Sequence, residues 1–303
     1  MFVALTRISL IFCLFTAAAK ADIMVEDSLG THKLSAHPQR VAALNWDVAE
    51  QVLELGVTPI AMSDIGGYQE WVVQPEVPQG VVDIGTRTEP NLSLLAELKP
   101  DVILIASPQK DLMARLSAIA PVLFYQNYSA KHKNAEAVVE NYLRIAQLLN
   151  KTEFAQQRLA DTQQELDSLS QQLLKAYGGE LPEVAAIRFA STSSVYLYDE
   201  NSIPVHALNR LGIRSAMPER GSQWGVAKKR ITELAQVEQG MVLYFEPFAH
   251  HQALDNSRLW QAMPFVKHQR VSSVAATWSY GGAMSVLYNA RALTKSLLEL
   301  SPQ

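Results

Sequence analysis

The sequence predicts an α/β protein in which two α/β lobes are joined by a single long helix. Three observations carry that reading. Short apolar runs alternate with helical segments up to residue 125, residues 135–177 then contain neither Gly nor Pro, and the alternation resumes beyond Pro182. The boundaries that follow are a leader over 1–21, an N-terminal lobe over 22–150, a linking helix over 151–178 and a C-terminal lobe over 179–303.

The elements follow in chain order. Residues 41–44, after Pro38 and Arg40, form an apolar run that predicts a buried strand, and 48–55 carry a helical pattern that stops at Gly56. Strands are expected at 58–62 and 80–85, then a helix over 91–98 capped by Asn91 and ended by Pro100. The unbroken apolar run 101–106 suits a parallel sheet covered on both faces. A helix at 112–119 and a strand at 122–125 complete the first lobe. Asn150, with Glu153 three residues on, divides the Gly- and Pro-free stretch, so the second helix starts near Thr152. Leu159, Leu166, Leu169 and Leu173 recur on one face of it. Up to Tyr177 it would span about 39 Å at 1.5 Å per residue. Gly178, Gly179 and Pro182 close it. Beyond it, strands are predicted at 184–190, 195–198 and 241–245, and helices at 205–211, 231–237, 257–262 and 285–300.

The first residues read as an export leader. Arg7 precedes an apolar run over 8–18, and Ala19-Lys20-Ala21 offers small residues for cleavage before Asp22. That run is shorter than the roughly 20 apolar residues of a spanning helix. Phe12 stands before Cys13 where a lipid-attachment signal requires a small residue. Cys13 is the only cysteine, so the exported form has no disulfide, thiolate metal site or cysteine nucleophile. The chain carries 26 Lys and Arg against 30 Asp and Glu. Losing Arg7 and Lys20 makes it more acidic still, which argues against nucleic acid or an anionic membrane as partner.

No nucleophile elbow, phosphate loop, dinucleotide fingerprint or zinc-protease helix motif occurs in the chain. His250 and His251 are adjacent with no third His near them in sequence, so no metal site is expected. The aromatic residues say more. Trp71, Trp224 and Trp278 sit in Gly-flanked segments, a placement that suits the lining of a ligand cleft, whereas Trp260 in Leu259-Trp260-Gln261-Ala262 is expected to pack in the core. Arg87 follows a strand, where ligands of α/β sheets bind, and its planar fork of donors matches paired oxygens.

Four stretches carry a family resemblance: Ala43-Leu44-Asn45-Trp46, Gly85-Thr86-Arg87-Thr88-Glu89-Pro90-Asn91-Leu92, Leu259-Trp260-Gln261-Ala262-Met263-Pro264-Phe265-Val266 and Trp278-Ser279-Tyr280-Gly281. Through them the chain, from about Arg40 to its end, resembles the periplasmic ferric-hydroxamate (ferrichrome-type) binding proteins. These belong to the class III binding proteins, whose lobes are joined by a helical backbone. The resemblance implies an aromatic inter-lobe cleft in which Arg87 meets the hydroxamate oxygens. Trp71, Trp224, Trp278 and Tyr280 fall on cleft positions, and Ser222 lies near a polar one. Gln109 stands where the family has a hydroxamate-binding tyrosine. It further implies a monomeric periplasmic carrier that holds no cofactor, leaves iron ligation to the siderophore and docks on an ABC permease through acidic residues. Glu233 matches on the C-terminal lobe; the N-terminal position holds Ser93, with Glu89 or Glu97 as substitutes. The alternatives are the same fold binding a catecholate siderophore, haem or cobalamin, and an exported α/β hydrolase. Lys228, Lys229 and Arg230 could serve a catecholate, but are expected to form a solvated turn.

Overall fold

The structure is a computed structural model that describes residues 22–302. The leader reading, Cys13 included, lies outside those residues. The described residues open with a hairpin that the sequence does not predict, β1 (Ile23–Asp27) and β2 (Gly30–Leu34). Its turn is built by Asp27, whose Oδ1 accepts the N–H groups of Leu29 (2.7 Å) and Gly30 (3.0 Å). The other oxygen of Asp27 accepts the N–H of Phe124 at 2.9 Å, fastening the hairpin to the first sheet.

That sheet contains β3 (Val41–Ala43), β4 (Ala61–Met62), β5 (Val82–Asp83), β6 (Val102–Ile105) and β7 (Val122–Phe124), in the order β5-β4-β3-β6-β7 and parallel throughout. Every residue of β3 and β6 is buried, which is why these strands read as continuous apolar runs. Asn91 caps its helix as expected, accepting the N–H of Leu94 at 3.0 Å. Two segments differ from expectation. The pattern read as a helix over 112–119 is a 3-10 turn, Ser107–Leu112, followed by the single helical turn Met113–Leu116. The Gly-rich segment before Trp71 is the helix Ile65–Trp71, capped by Asp64, and not a loop. Gly67 is needed there because a Cβ would lie 2.6 Å from the Trp46 ring.

The linking helix runs over Thr152–Ala176, with Asn150 (φ 55°) and Gly178 (φ 65°) in left-handed conformations just outside its ends. Its apolar stripe touches two cores in succession. Ala155 and Leu159 join that of the first sheet, whereas Leu166, Leu169 and Leu173 join that of the second.

The second sheet contains β8 (Val184–Phe189), β9 (Ser194–Tyr198), β10 (Val226–Arg230), β11 (Met241–Phe245) and β12 (Val271–Val274), in the order β10-β9-β8-β11-β12. It is mixed: β10-β9 and β9-β8 are antiparallel, β8-β11 and β11-β12 parallel. The short Ala190–Ser194 turn enforces the antiparallel step, since a parallel return needs a long crossover. Lys228, Lys229 and Arg230, expected as a solvated turn, form most of edge strand β10. Charged side chains on an edge discourage pairing with another chain. Trp260 packs in the core against Phe189 and Phe265.

The halves interlock at their ends. Ala283 and Met284 sit in the core of the first sheet, while Tyr128 and Val138 sit in that of the second. No helix among the described residues is long and apolar enough to cross a membrane.

Candidate ligand-binding cleft

The helix Trp46–Glu54 follows β3 directly, so the first turn of that helix opens at the carboxyl end of the sheet. Trp46 is held there by donating its indole N–H to the carbonyls of Ser63 (3.2 Å) and Asp64 (3.1 Å). Over its ring lies the Arg87 guanidinium, 3.6 Å from the centroid. The Arg87 Nε is 3.8 Å from an Asp64 oxygen. Burial pulls the Arg87 pKa below its ordinary value, and the nearby Asp64 and Asp47 charges oppose the shift. The ion pair with Glu89, which sequence proximity suggests, is not formed among the described side chains.

From Trp46 a relay of aromatic rings crosses to the other half. Trp46 meets Trp278 edge to face at 5.0 Å, Trp278 meets Tyr280 at 5.2 Å, and Tyr280 meets Tyr128 at 5.9 Å. Tyr128 stacks on Trp224 at 6.1 Å, and Trp224 is 43% exposed, leaving a large apolar face open to solvent. Trp278, Tyr280, Tyr128 and Trp224 border a cavity of about 360 Å³. Both halves line it, with Asn45, Arg87 and Pro108 on one wall and Arg188, Tyr196 and Val226 on the other. Asp47 lies at its base, accepting hydrogen bonds from Asn45 (2.6 Å), Asn127 (2.8 Å) and the Val48 N–H (2.9 Å). Burial raises its pKa despite those bonds.

Of the residues singled out from sequence, Arg87, Trp224, Trp278 and Tyr280 line this cavity together. Trp71 stands beside it, its ring centroid 5.9 Å from the Arg188 guanidinium. Gln109 and Ser222 lie behind the lining. Gln109 is fully buried; its amide donates to the Arg87 carbonyl (2.8 Å), and its carbonyl accepts the Ala106 N–H (3.2 Å). Ser222 exchanges hydrogen bonds with the backbone of Val226 (3.0 and 3.2 Å) and so shapes the turn that carries Trp224. Sequence reasoning did not assign Trp46, Tyr128, Arg188 or Tyr196 to the site. The available signal was a lone arginine in the otherwise apolar run of β8. Among the described residues no group of three or more His, Cys, Asp or Glu is placed to hold a metal ion. His251 instead meets Glu246 at 3.0 Å.

A cavity between two α/β halves, walled by aromatic rings and carrying a guanidinium from each side, defines a two-lobed solute-binding protein. The chain belongs to the periplasmic binding protein family, whose model matches residues 41–276. It is 30% identical to the iron(3+)-hydroxamate-binding protein FhuD of Escherichia coli K12, covering 94% of this chain and 95% of that one. Among solved structures, it is 50% identical to FhuD of Vibrio cholerae with Fe3+–Desferal bound. That match has a TM-score of 0.86 and covers 88% of this chain and all of that one. The fold also matches the triscatecholate-binding protein FeuA of Bacillus subtilis at 18% identity and TM-score 0.72, covering 91% and 98% of the two chains.

Proposed function

We propose that the protein captures a ferric hydroxamate siderophore in this cleft and delivers it to an ABC permease. The observation that carries the reading is Arg87, stacked on Trp46 with its fork of donors at an aromatic cavity. Three singly charged hydroxamates cancel the ferric charge, so the complex needs donors for its oxygens and apolar walls for its carbon frame. The named hydroxamate receptor of E. coli and the Desferal-bound V. cholerae structure support that ligand class. The siderophore supplies the iron ligands; the protein acts as a carrier and catalyses nothing.

In this reading the lobes span 22–150 and 179–303, and the helix Thr152–Ala176, packed into both cores, limits their movement on binding. The carrier works as a monomer in the periplasm after removal of residues 1–21. Gln109 and Ser222 act by holding Arg87 and Trp224 in place. Glu89, exposed at the N-terminal wall, and Glu233, which accepts the Arg230 N–H at 2.8 Å, are the proposed permease contacts. Glu233→Lys should lower siderophore uptake in cells with ligand affinity unchanged; normal uptake removes that contact.

The test is a tryptophan-fluorescence titration with ferrichrome, ferrioxamine B and a ferric catecholate. Saturable quenching by the hydroxamates, weakened at least tenfold in Arg87→Ala, is the expected result. Quenching by the catecholate alone overturns the ligand class.

A further inference from the structure

Arg188 is a cation without a counter-charge. It sits on β8 and lines the cavity opposite Arg87. Arg87 has Asp64 beside it, but no carboxylate among the described residues lies within 4.0 Å of Arg188. Its Nε is buried with no hydrogen-bond partner. What surrounds it is aromatic: the guanidinium carbon is 4.9 Å from the Tyr196 ring centroid and 5.9 Å from that of Trp71. Rings hold a cation through their quadrupoles and leave its net charge in place. The hydroxyls of Tyr198 and Tyr280 lie close enough to hydrogen-bond with its guanidinium, neutral partners that leave its charge in place. Burial raises both, Tyr198 to about 12, and the Arg188 charge works against the rise.

Most other charges near the cavity are already engaged. Asp47 accepts from two amides and a backbone N–H. Asp199, behind Tyr280, accepts the N–H groups of Asn201 (2.8 Å) and Ser222 (2.9 Å). On β10, Lys229 pairs with Glu219 and Arg230 with Glu233, while Lys228, opposite Tyr196, is exposed to solvent and has no carboxylate within 4.0 Å among the described residues. Of the cations near the cleft that lack a counter-charge, Arg188 is the one that lines the cavity. A neutral iron–trihydroxamate core can accept hydrogen bonds but brings no net charge to balance a second guanidinium, which is costly to desolvate unless an anion arrives with the ligand.

We infer that Arg188 forms an anion subsite on the C-terminal wall, which makes the cleft favour hydroxamate complexes bearing a carboxylate over those bearing a cationic group. The inference rests on the hydroxamate reading above and adds to it a charge preference and the residue that sets it. A guanidinium meets a carboxylate through two parallel hydrogen bonds, and its field acts more strongly beside apolar aromatic walls than in open water.

The experiment holds the hydroxamate core constant and changes only the tail. Ferric desferrioxamine B has a protonated amine, its N-acetyl derivative is neutral, and its N-succinyl derivative ends in a carboxylate. In the wild type at pH 7 and low salt, the succinyl complex should bind about tenfold more tightly than the amine, with the acetyl complex between them. Arg188→Gln should shrink that ratio to less than about twofold, and Arg188→Lys should keep most of it. Arg188→Met, which preserves the apolar stem, replaces Arg188→Gln if that variant does not fold. Equal affinity for the three tails in the wild type overturns the inference without any variant, as does an unchanged ratio in Arg188→Gln. Binding of none of the three removes the receptor reading and this inference together.

Discussion

The walls of the cleft present the same functional group in different ways. Arg87 is built in: its plane lies on Trp46, a carboxylate stands beside it, and buried Gln109 grips its carbonyl. Arg188 is left among rings, with a buried Nε that bonds to nothing. The first arrangement fixes direction and suits oxygens whose position around the iron is constant. The second keeps charge in reserve and suits whatever part of the ligand varies. Recognition of a family of related complexes needs both, a rigid donor for the shared core and an adaptable one for the rest.

The largest test of that contrast is Arg87→Lys, which keeps the charge but loses the planar fork and its stacking on Trp46. Affinity for a ferric hydroxamate should fall about thirtyfold by fluorescence titration, as hydrogen bonds to charged groups warrant. A loss under threefold would mean that charge alone, and not the planar fork, acts on this wall. Next comes Gln109→Leu, which leaves the Arg87 carbonyl and the Ala106 N–H without their buried partner. It should cost about 2 kcal/mol in denaturant unfolding and weaken binding several-fold. Trp224→Ala removes a ring from the opposite wall that is already half in solvent. It should weaken binding about fivefold, with stability within roughly 0.5 kcal/mol of wild type in the same assay.

The smallest effect at neutral pH concerns the contact that joins the walls. Glu50 is wholly buried on the Trp46–Glu54 helix, where it accepts the Gly282 N–H (3.0 Å) and the Ser285 hydroxyl (2.8 Å). Burial pushes its pKa up to about 8 from an ordinary 4.5. The folded state therefore holds this proton more tightly than the unfolded chain. The associated stability is complete below the unfolded value and is lost as pH rises through the folded one. Melting temperature should decline from about pH 5 to about pH 8, and Glu50→Gln, which cannot ionise, should flatten the decline. An equal slope in both proteins would place the titration elsewhere.

Much of the fold was legible because its signals are local. Asn91 announced a cap, the apolar run 101–106 announced a doubly covered strand, and Asn150 with the Gly178-Gly179 pair marked the ends of the long helix. The errors came where tertiary contact decides. Gly66 and Gly67 suggest a loop, yet Gly67 belongs to a helix because Trp46 occupies the place of its missing side chain. Lys228, Lys229 and Arg230 suggest a solvated turn; Lys228 and Arg230 are exposed, yet β9 pairs with all three as an edge strand. The site divided in the same way. Residues in distinctive turns, such as Trp224 and Trp278, could be found from their neighbours. Arg188 and Tyr196 sit in ordinary strands, and only the meeting of the two sheets shows what they face.

The interlocked ends bear on how the chain reaches this state. Glu50 and Ser285 are 235 positions apart, and Gly281 lies so close against Glu50 that even a Cβ would collide with it. The first helix thus waits for residues made 235 positions later before its buried carboxyl is satisfied and Met284 fills its core. Contacts of such separation form late, after a long stretch of chain has been confined. A nascent chain stopped before residue 281 has neither core complete, so the two sheets mature as one cooperative unit.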